Sequence, residues 1–225
     1  MLFHDRRDAG RLLANELTFL KGRRDVVVLA IPRGGVPVGR EVAAVIGAPL
    51  DIVITRKIGA PDNPELAIGA VTEDGETMLD NRLAEMVGAT TDYVKQEAAR
   101  QVEEIKIREK KYRGNRPFPA LQGKTVVIVD DGIATGSTIR AAIQSVRRRN
   151  AGKIIIAAPV GPPDTVSELS KGVDRVICLS TPGYFEAIGE FYEEFEQVDD
   201  DAVRRILGEQ EPSSGPPKSP IARTE

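Results

Sequence analysis

Residues Val126–Thr138 read VVIVDDGIATGST. Four apolar, mostly β-branched residues run into two adjacent acids and then into a loop rich in Gly, Ser and Thr, and the helical pattern IRAAIQSVRRR follows at once. A continuous apolar run marks a strand buried on both faces of a parallel sheet, and Ser and Thr favour helix starts. The stretch therefore predicts a strand, an anion-sized loop and a helix N-terminus. Two carboxylates stand at the strand's carboxyl end, where open α/β sheets bind ligands. Loop amides and the helix dipole suit a phosphate, and the two acids suit sugar hydroxyls or a metal. These residues point to a sugar phosphate.

Upstream, Ala9, Leu12, Leu13, Leu17 and Leu20 recur at helical spacing and predict an amphipathic helix over residues 5–21. Residues 26–31 (VVVLAI) form a second buried strand, ending in Pro32-Arg33-Gly34-Gly35, and a helix follows with Pro37 near its first turn. Residues 50–55 (LDIVIT) form the next strand and end in Arg56-Lys57. From residue 58 to about 118 the parallel pattern breaks. Gly59, Pro61, Asn63 and Pro64 read as a loop, 67–72 and 76–79 as a hairpin around Glu73-Asp74-Gly75, 81–87 as a short helix and 91–113 as a long one. The long helix has the apolar stripe Val94, Ala98, Val102 and Ile105, and its charge run reads as a solvated face. Arg147, Arg148 and Arg149 close the helix after the central strand, where basic residues complement the helix dipole.

Strands at 153–159 and 174–180, with a short helix at 164–170, complete the alternation. The fold class is α/β, a Rossmann-like parallel sheet of about five strands with helices on both faces. Residues 1–208 read as a single domain with an insertion at about 58–118. An aromatic segment, at about 181–208, holds Tyr184, Phe185, Phe191, Tyr192 and Phe195, and the proline-rich residues 209–225 read as a disordered tail.

Composition excludes several chemistries. His4 is the only histidine, so neither a histidine metal cluster nor a Ser-His-Asp site is expected. The lone Cys178 excludes an internal disulfide framework and, with a charged N-terminus unlike a signal peptide, suits the cytoplasm. No run is long enough to predict a membrane span. A net charge of −3 argues against non-specific binding to nucleic acid through overall charge and leaves a local basic patch open; no nucleic-acid partner is expected.

Taken together, DDGIATGST resembles the phosphoribosyl-diphosphate (PRPP) loop of the type I phosphoribosyltransferases. The Walker A spacing and its Lys are missing. The resemblance implies that fold, with the insertion in the place of a mobile active-site loop. It implies that Asp130 and Asp131 hold the ribose hydroxyls and also bind Mg²⁺, directly or indirectly, and that Ala134, Thr135, Gly136, Ser137 and Thr138 wrap the 5′-phosphate. Arg33, Gly34 and Gly35 take the place of the family's diphosphate loop, and Arg56 and Lys57 that of a basic contact to the same diphosphate. Asp130, Asp131, Lys57 and Arg33 are thus the candidate catalytic group, with the acids orienting ribose and metal rather than acting as bases.

The implied reaction displaces diphosphate from C1 of PRPP by a small nitrogen nucleophile, such as a nucleobase, with Tyr184 and Phe185 as stacking candidates. In the 6-oxopurine members an Asp four residues after the first acid serves as a base; here that position is Ala134, as in the adenine members. The base is therefore unassigned, with Glu65 and Glu73 the first carboxylates to inspect. The aromatic segment matches no named substrate class and points to a separate bacterial branch of the family. Family members are often dimeric, which leaves a homodimer open, with helix 91–113 as a candidate surface. A PRPP-binding regulator without turnover, or an interaction protein in nucleic-acid handling, remain alternatives.

Overall fold

The computed structural model describes residues 1–73 and 75–208. Its centre is a five-stranded parallel sheet built from β1 (Val26–Ala30), β2 (Leu50–Ile52), β6 (Thr125–Val129), β7 (Lys153–Val160) and β8 (Arg175–Ser180). The strand order is β2-β1-β6-β7-β8. Every residue of β1 and of β6 is buried, as their unbroken apolar sequences require of strands covered on both faces. The two strands run side by side, with Val28 opposite Val127 and Ala30 opposite Val129.

The helices divide between the faces. Helices α1 (Arg6–Asn15), α2 (Gly35–Ile46) and α7 (Asp200–Gly208) share a core with Val28, Val127, Val129 and Ile155. On the other face, α5 (Ser137–Arg148) and α6 (Pro163–Ser170) pack Ile139, Ile143, Val146 and Leu169 against Val27, Leu29, Val126 and Ile128. Alternating residues of each strand thus feed two separate cores.

The chain leaves β1 for the outer strand β2, and returns from the insertion to β6 on the other side of β1. Neighbouring strands whose connections depart in opposite directions leave a crevice at their carboxyl ends, the switch point where α/β sheets bind ligands. Residues 32–35 follow β1 and residues 130–137 follow β6, so both quoted loops open into that crevice.

The insertion differs from expectation in two ways. The strand of LDIVIT ends at Ile52. Val53 and Ile54 are buried but lie outside the sheet, and Arg56 and Lys57 belong to β3 (Thr55–Ala60), so the insertion begins at residue 55 and these cations do not cap a core strand. The stretch read as a loop instead pairs: β3 runs antiparallel to β4 (Asn63–Thr72), which pairs with β5 (Thr77–Leu79) in a separate three-stranded sheet. Pro64 is tolerated because it lies at the start of β4. The second hairpin, α3 (Asn81–Met86) and α4 (Thr91–Arg113) lie where the pattern put them. Thr90 caps α4 by accepting from Tyr93 N, and Gly114, at φ +63°, ends it.

The expected helix over 5–21 is α1 followed by a short 3₁₀ turn at Thr18–Leu20. The aromatic segment does not stand alone. Phe3 forms a bridge with Tyr192, donating to Phe191 O and accepting from Glu193 N, so the two ends of the domain are laced together. The expected tail, 209–225, lies outside the described residues. Among the described residues no helix is long and apolar enough to cross a membrane.

Candidate active site

The acid-bearing loop starts where β6 ends. Asp131 N donates to Asp130 Oδ1 at 2.9 Å, folding the first carboxyl back onto the turn. Desolvation, and then the neighbouring charge of Asp131, push the pKa of Asp130 well above the usual carboxylate range. Gly136, at φ +75°, turns the chain into α5, a conformation that glycine adopts without strain. Thr135 and Ser137 share a hydroxyl–hydroxyl hydrogen bond of 3.1 Å at the helix mouth. Arg140, one turn on, donates to Thr135 O at 2.7 Å and pairs with Glu168, bracing the loop from behind.

Gly34 and Gly35 pack directly on the two acids. A Cβ on Gly34 would lie 1.9 Å from Asp131 Oδ2, and one on Gly35 would lie 2.7 Å from Val129 O and 3.1 Å from Asp130 Oδ1. Gly34 has an ordinary helical φ of −60°, so close approach, rather than backbone conformation, is what demands glycine there. The proposed ribose acids and the proposed diphosphate loop are therefore in van der Waals contact.

The two acids have different surroundings. Asp130 is partly exposed, whereas Asp131 is buried. Asp131 Oδ2 accepts from Arg6 Nε at 2.7 Å, and its main-chain oxygen accepts from Tyr192 Oη at 2.6 Å. Burial, and then the charge of Asp131, hold the Tyr192 phenol above its ordinary pKa, so it remains a donor. Sequence reasoning did not single out Arg6, and nothing in the local pattern of α1 distinguishes it from Arg7 or Arg11.

Beside the loop proposed for the phosphate is a cavity of about 260 Å³ lined by Pro32, Thr55, Arg56, Lys57, Arg108, Ser137 and Thr138, among others. It joins the end of β1, the insertion and the phosphate loop, and Thr55 Oγ1 donates to Thr138 O across it at 3.4 Å. Arg56 Nε donates to Gln101 Oε1 at 2.8 Å; burial, and then the nearby Arg108 charge, lower its pKa below the usual arginine value. Lys57 pairs with Glu65 at 2.8 Å on the exposed side of the sheet. Arg108 corrects the reading of α4 as a merely solvated face, because it faces this cavity. Three cations, Arg56, Lys57 and Arg108, thus line the same space as Ser137 and Thr138.

Arg33 is placed differently. It is not among the residues lining that cavity, and its Nη1 lies 3.6 Å from Asp200 Oδ1 at the start of α7. Asp200 also accepts from Lys111 and Tyr112, and these partners bring its pKa down to about 2. Of the two carboxylates to inspect as bases, Glu65 is tied to Lys57, which lines the cavity. Glu73 pairs with Arg149, in the residue after the last turn of α5. Over twelve residues that end lies about 18 Å from the phosphate loop, which removes Glu73 as a base. Arg149 also stacks on Phe118, Arg148 pairs with Glu76 and Arg147 donates to Gly172 O, so the basic triplet anchors the insertion and the α6–β8 turn as well as closing α5.

Tyr184 is 73% exposed, and Phe185 stacks on Phe191 with ring centroids 5.4 Å apart. The aromatic segment reaches the acid loop through Ile188, whose side chain would lie 2.6 Å from a Cβ on Gly132. Cys178 is a packed thiol, donating to Ser180 O, and burial pushes its pKa to about 11.

Comparison with known proteins gives the same picture. Two strains of Mycobacterium tuberculosis, CDC 1551 and H37Rv, carry a relative provisionally named phosphoribosyl transferase. It is 46% identical over 209 residues, which is 92% of this chain and 46% of the relative. The chain thus spans about half the length of these curated relatives. TT1426 from Thermus thermophilus has a crystal structure that matches with a TM-score of 0.80 at 44% identity, covering 93% of this chain and 99% of that one. A ribose-phosphate pyrophosphokinase of Sulfurisphaera tokodaii is 38% identical over 77 residues, 34% of this chain and 24% of the other. The family model described as "Phosphoribosyl transferase domain" matches residues 4–196, which take in both loops, the insertion and the aromatic segment as far as Glu196. The sheet order, the paired loops and that match agree: this chain belongs to the phosphoribosyl transferase domain family.

Proposed function

We propose that the protein transfers the 5-phosphoribosyl group of PRPP to a small nitrogen nucleophile, with release of diphosphate. One observation carries the reading. Gly34 and Gly35 of the β1 loop lie against Asp131 and Asp130 of the β6 loop, so the loop proposed for the diphosphate and the acids proposed for the ribose open into one crevice. A ribose with a phosphate on C5 and a diphosphate on C1 would use both loops, whereas a simple sugar phosphate would use only one.

In this reading, amides and hydroxyls of Thr135, Gly136, Ser137 and Thr138 hold the 5′-phosphate at the N-terminus of α5. Asp130 orients the ribose, and Gly34 and Gly35 let main-chain amides approach the diphosphate. Arg56, Lys57 and Arg108 place fixed positive charge where negative charge grows as the C1–oxygen bond breaks. Arg33 adds to that field once it leaves Asp200. The antiparallel sheet β3–β5, standing over the phosphate loop, excludes water that would otherwise hydrolyse the donor.

Mg²⁺ fits the residues present. Asp130 and Asp131 bring two adjacent carboxylates to the carboxyl end of β6, and Gly35 of the β1 loop packs against the Asp130 carboxyl. That is the donor set for an ion held by one or two carboxylates together with ligand phosphates and water. Asp130 would hold it, with Asp131 at one remove, and when bound the ion neutralises charge on the departing diphosphate.

The acceptor site lies with the aromatic segment. Ile188 against Gly132 places that segment over the acid loop, and Tyr184 offers an exposed ring for a planar base. Phe185, already stacked on Phe191, supports the segment from below. Ala134 supplies no base, so a nucleophile that needs no deprotonation by the phosphate loop is favoured, in a cytoplasmic enzyme of nucleotide metabolism. The regulator reading loses its one structural hint, because Arg147, Arg148 and Arg149 each engage another part of the chain.

The test is to supply PRPP and Mg²⁺ with a panel of free bases and follow diphosphate. Release that depends on one base, and is lost in Asp130→Asn, is expected. PRPP binding without release on any base would favour the regulator. A protein that binds no PRPP would refute both.

A further inference from the structure

Arg6 lies at the first position of α1, far in sequence from every motif of the site, yet its guanidinium meets the acid pair. Its Nε donates to Asp131 Oδ2 at 2.7 Å, and both side chains are only 12% exposed. Its Nη1 donates to Glu196 O at 2.8 Å, and its Cζ sits 3.8 Å from the ring centroid of Phe195 and 6.0 Å from that of Tyr192. Tyr192 in turn donates to Asp131 O at 2.6 Å. On its other side the Asp131 carboxylate lies on Gly34, with no room for a Cβ. One carboxylate is therefore held by the start of the chain, the diphosphate loop and the aromatic segment together, while its neighbour Asp130 remains partly open.

A surface ion pair needs none of this. A guanidinium stacked on an aromatic ring and bonded at two nitrogens has lost its rotational freedom, so the oxygen it holds is fixed in place. Two adjacent acids at one strand end also repel each other unless one is compensated.

We propose that Arg6 is the positioning residue of the acid pair. By taking the Asp131 carboxylate to itself, it leaves Asp130 as the acid that faces the donor's hydroxyls, and it makes that division depend on the docked aromatic segment. The assignment rests on the PRPP reading above. Asp131 works through Arg6 and Gly34: it locks the diphosphate loop against the ribose loop rather than binding ribose itself. The donor site then forms fully only when residues 3–6 and 192–196 are seated, so the acceptor-side segment and the donor site are mechanically one unit.

The experiment is a double-mutant cycle on PRPP·Mg²⁺ binding, read by calorimetry, with Arg6→Met, Asp131→Asn and the pair. Asp130→Asn serves as the reference for a direct ligand, and thermal midpoints are taken for each protein. Each of the first two is expected to weaken binding about tenfold, and the pair no more than either alone, since one interaction has been removed once. Arg6→Lys, which keeps the charge and loses the fork, should recover part of the affinity, and Asp130→Asn should cost more than any of them. Effects of Arg6→Met and Asp131→Asn that multiply, or Arg6→Met binding as tightly as wild type, would overturn the assignment while leaving the donor reading intact. Wild-type protein that binds no PRPP would overturn the donor reading and this assignment with it. Should Arg6→Met fail to fold, Arg6→Lys alone decides: wild-type affinity there, with an undiminished effect of Asp131→Asn, would refute the coupling.

Discussion

Gly34→Ala isolates the packing of the two loops. The φ of −60° at Gly34 suits alanine, so the substitution adds no backbone strain and tests only space. The new methyl would stand 1.9 Å from Asp131 Oδ2, 2.5 Å from Cγ and 3.0 Å from Oδ1. A real methyl carbon needs more than 3 Å, so the carboxylate must retreat by roughly 1 Å or more, against packing as dense as a crystal. That is enough to break the 2.7 Å bond to Arg6 or to lift Arg6 from Phe195. Overpacking of this kind costs about 1–3 kcal/mol, and separating a nearly buried ion pair about 3–5 kcal/mol, so a loss of about 3 kcal/mol is expected where the site partly relaxes. For a chain of this size the thermal midpoint should fall by about 6–12 °C. Urea denaturation followed by circular dichroism measures the stability, and calorimetry with PRPP·Mg²⁺ the affinity, which should fall by at least about a hundredfold, in line with about 2.7 kcal/mol. Asp131→Ala alone loses the Arg6 pair, but adding Gly34→Ala to it meets no colliding carboxylate, so the double variant should be about as stable as Asp131→Ala alone, and affinity should not recover. Wild-type stability and wild-type PRPP affinity in Gly34→Ala would refute the contact between the loops, and with it the shared crevice.

Other outcomes follow from the same geometry. Thr138→Ala removes a hydroxyl at the first turn of α5; a hydrogen bond to a charged phosphate contributes about 1.5–3 kcal/mol, so PRPP affinity should drop about 10- to 100-fold, and unchanged affinity would remove the phosphate role of the loop. With its pKa at about 11, Cys178 should react with iodoacetamide at pH 8 roughly 200-fold more slowly than an ordinary thiol of pKa ~8.5, and Cys178→Ser should leave activity nearly unchanged. Asp200, held down to about pKa 2 by its hydrogen bonds to Lys111 and Tyr112, favours the folded state above the unfolded carboxylate pKa of ~3.9 and loses that contribution as pH falls towards 2. The gap in thermal midpoint between wild type and Asp200→Asn should therefore close across that window, and a gap that does not change with pH would show that Asp200 is not held by these cations.

Much of this was legible along the chain because each feature is local. The runs in β1 and β6 are continuous and rich in β-branched residues, as strands buried on both faces are. The loop and helix after β6 were equally readable, since Gly136 and the hydroxyls around it do their work within a few residues. The insertion was harder. Val53 and Ile54 extend the apolar run of β2, yet burial alone does not distinguish a strand residue from a buried bend, so the run does not reveal that Arg56 and Lys57 belong to β3 of the second sheet. Pro61 and Pro64 read as loop residues because proline breaks most strands, whereas here one sits in the hairpin turn and the other at a strand start.

By itself, then, the sequence determined the parallel α/β class, the strand–loop–helix around Gly136 and the two adjacent acids, because periodicity and turn chemistry act over short separations. Only the tertiary structure decided how the acids differ. Asp130 and Asp131 are adjacent and chemically identical in the text of the chain. What separates them is Arg6 and Gly34, residues 125 and 97 positions from Asp131, brought to it by the pairing of β1 with β6 and by the lacing of the two chain ends. Contacts across such separations depend on the packing of whole elements, and no local pattern encodes them.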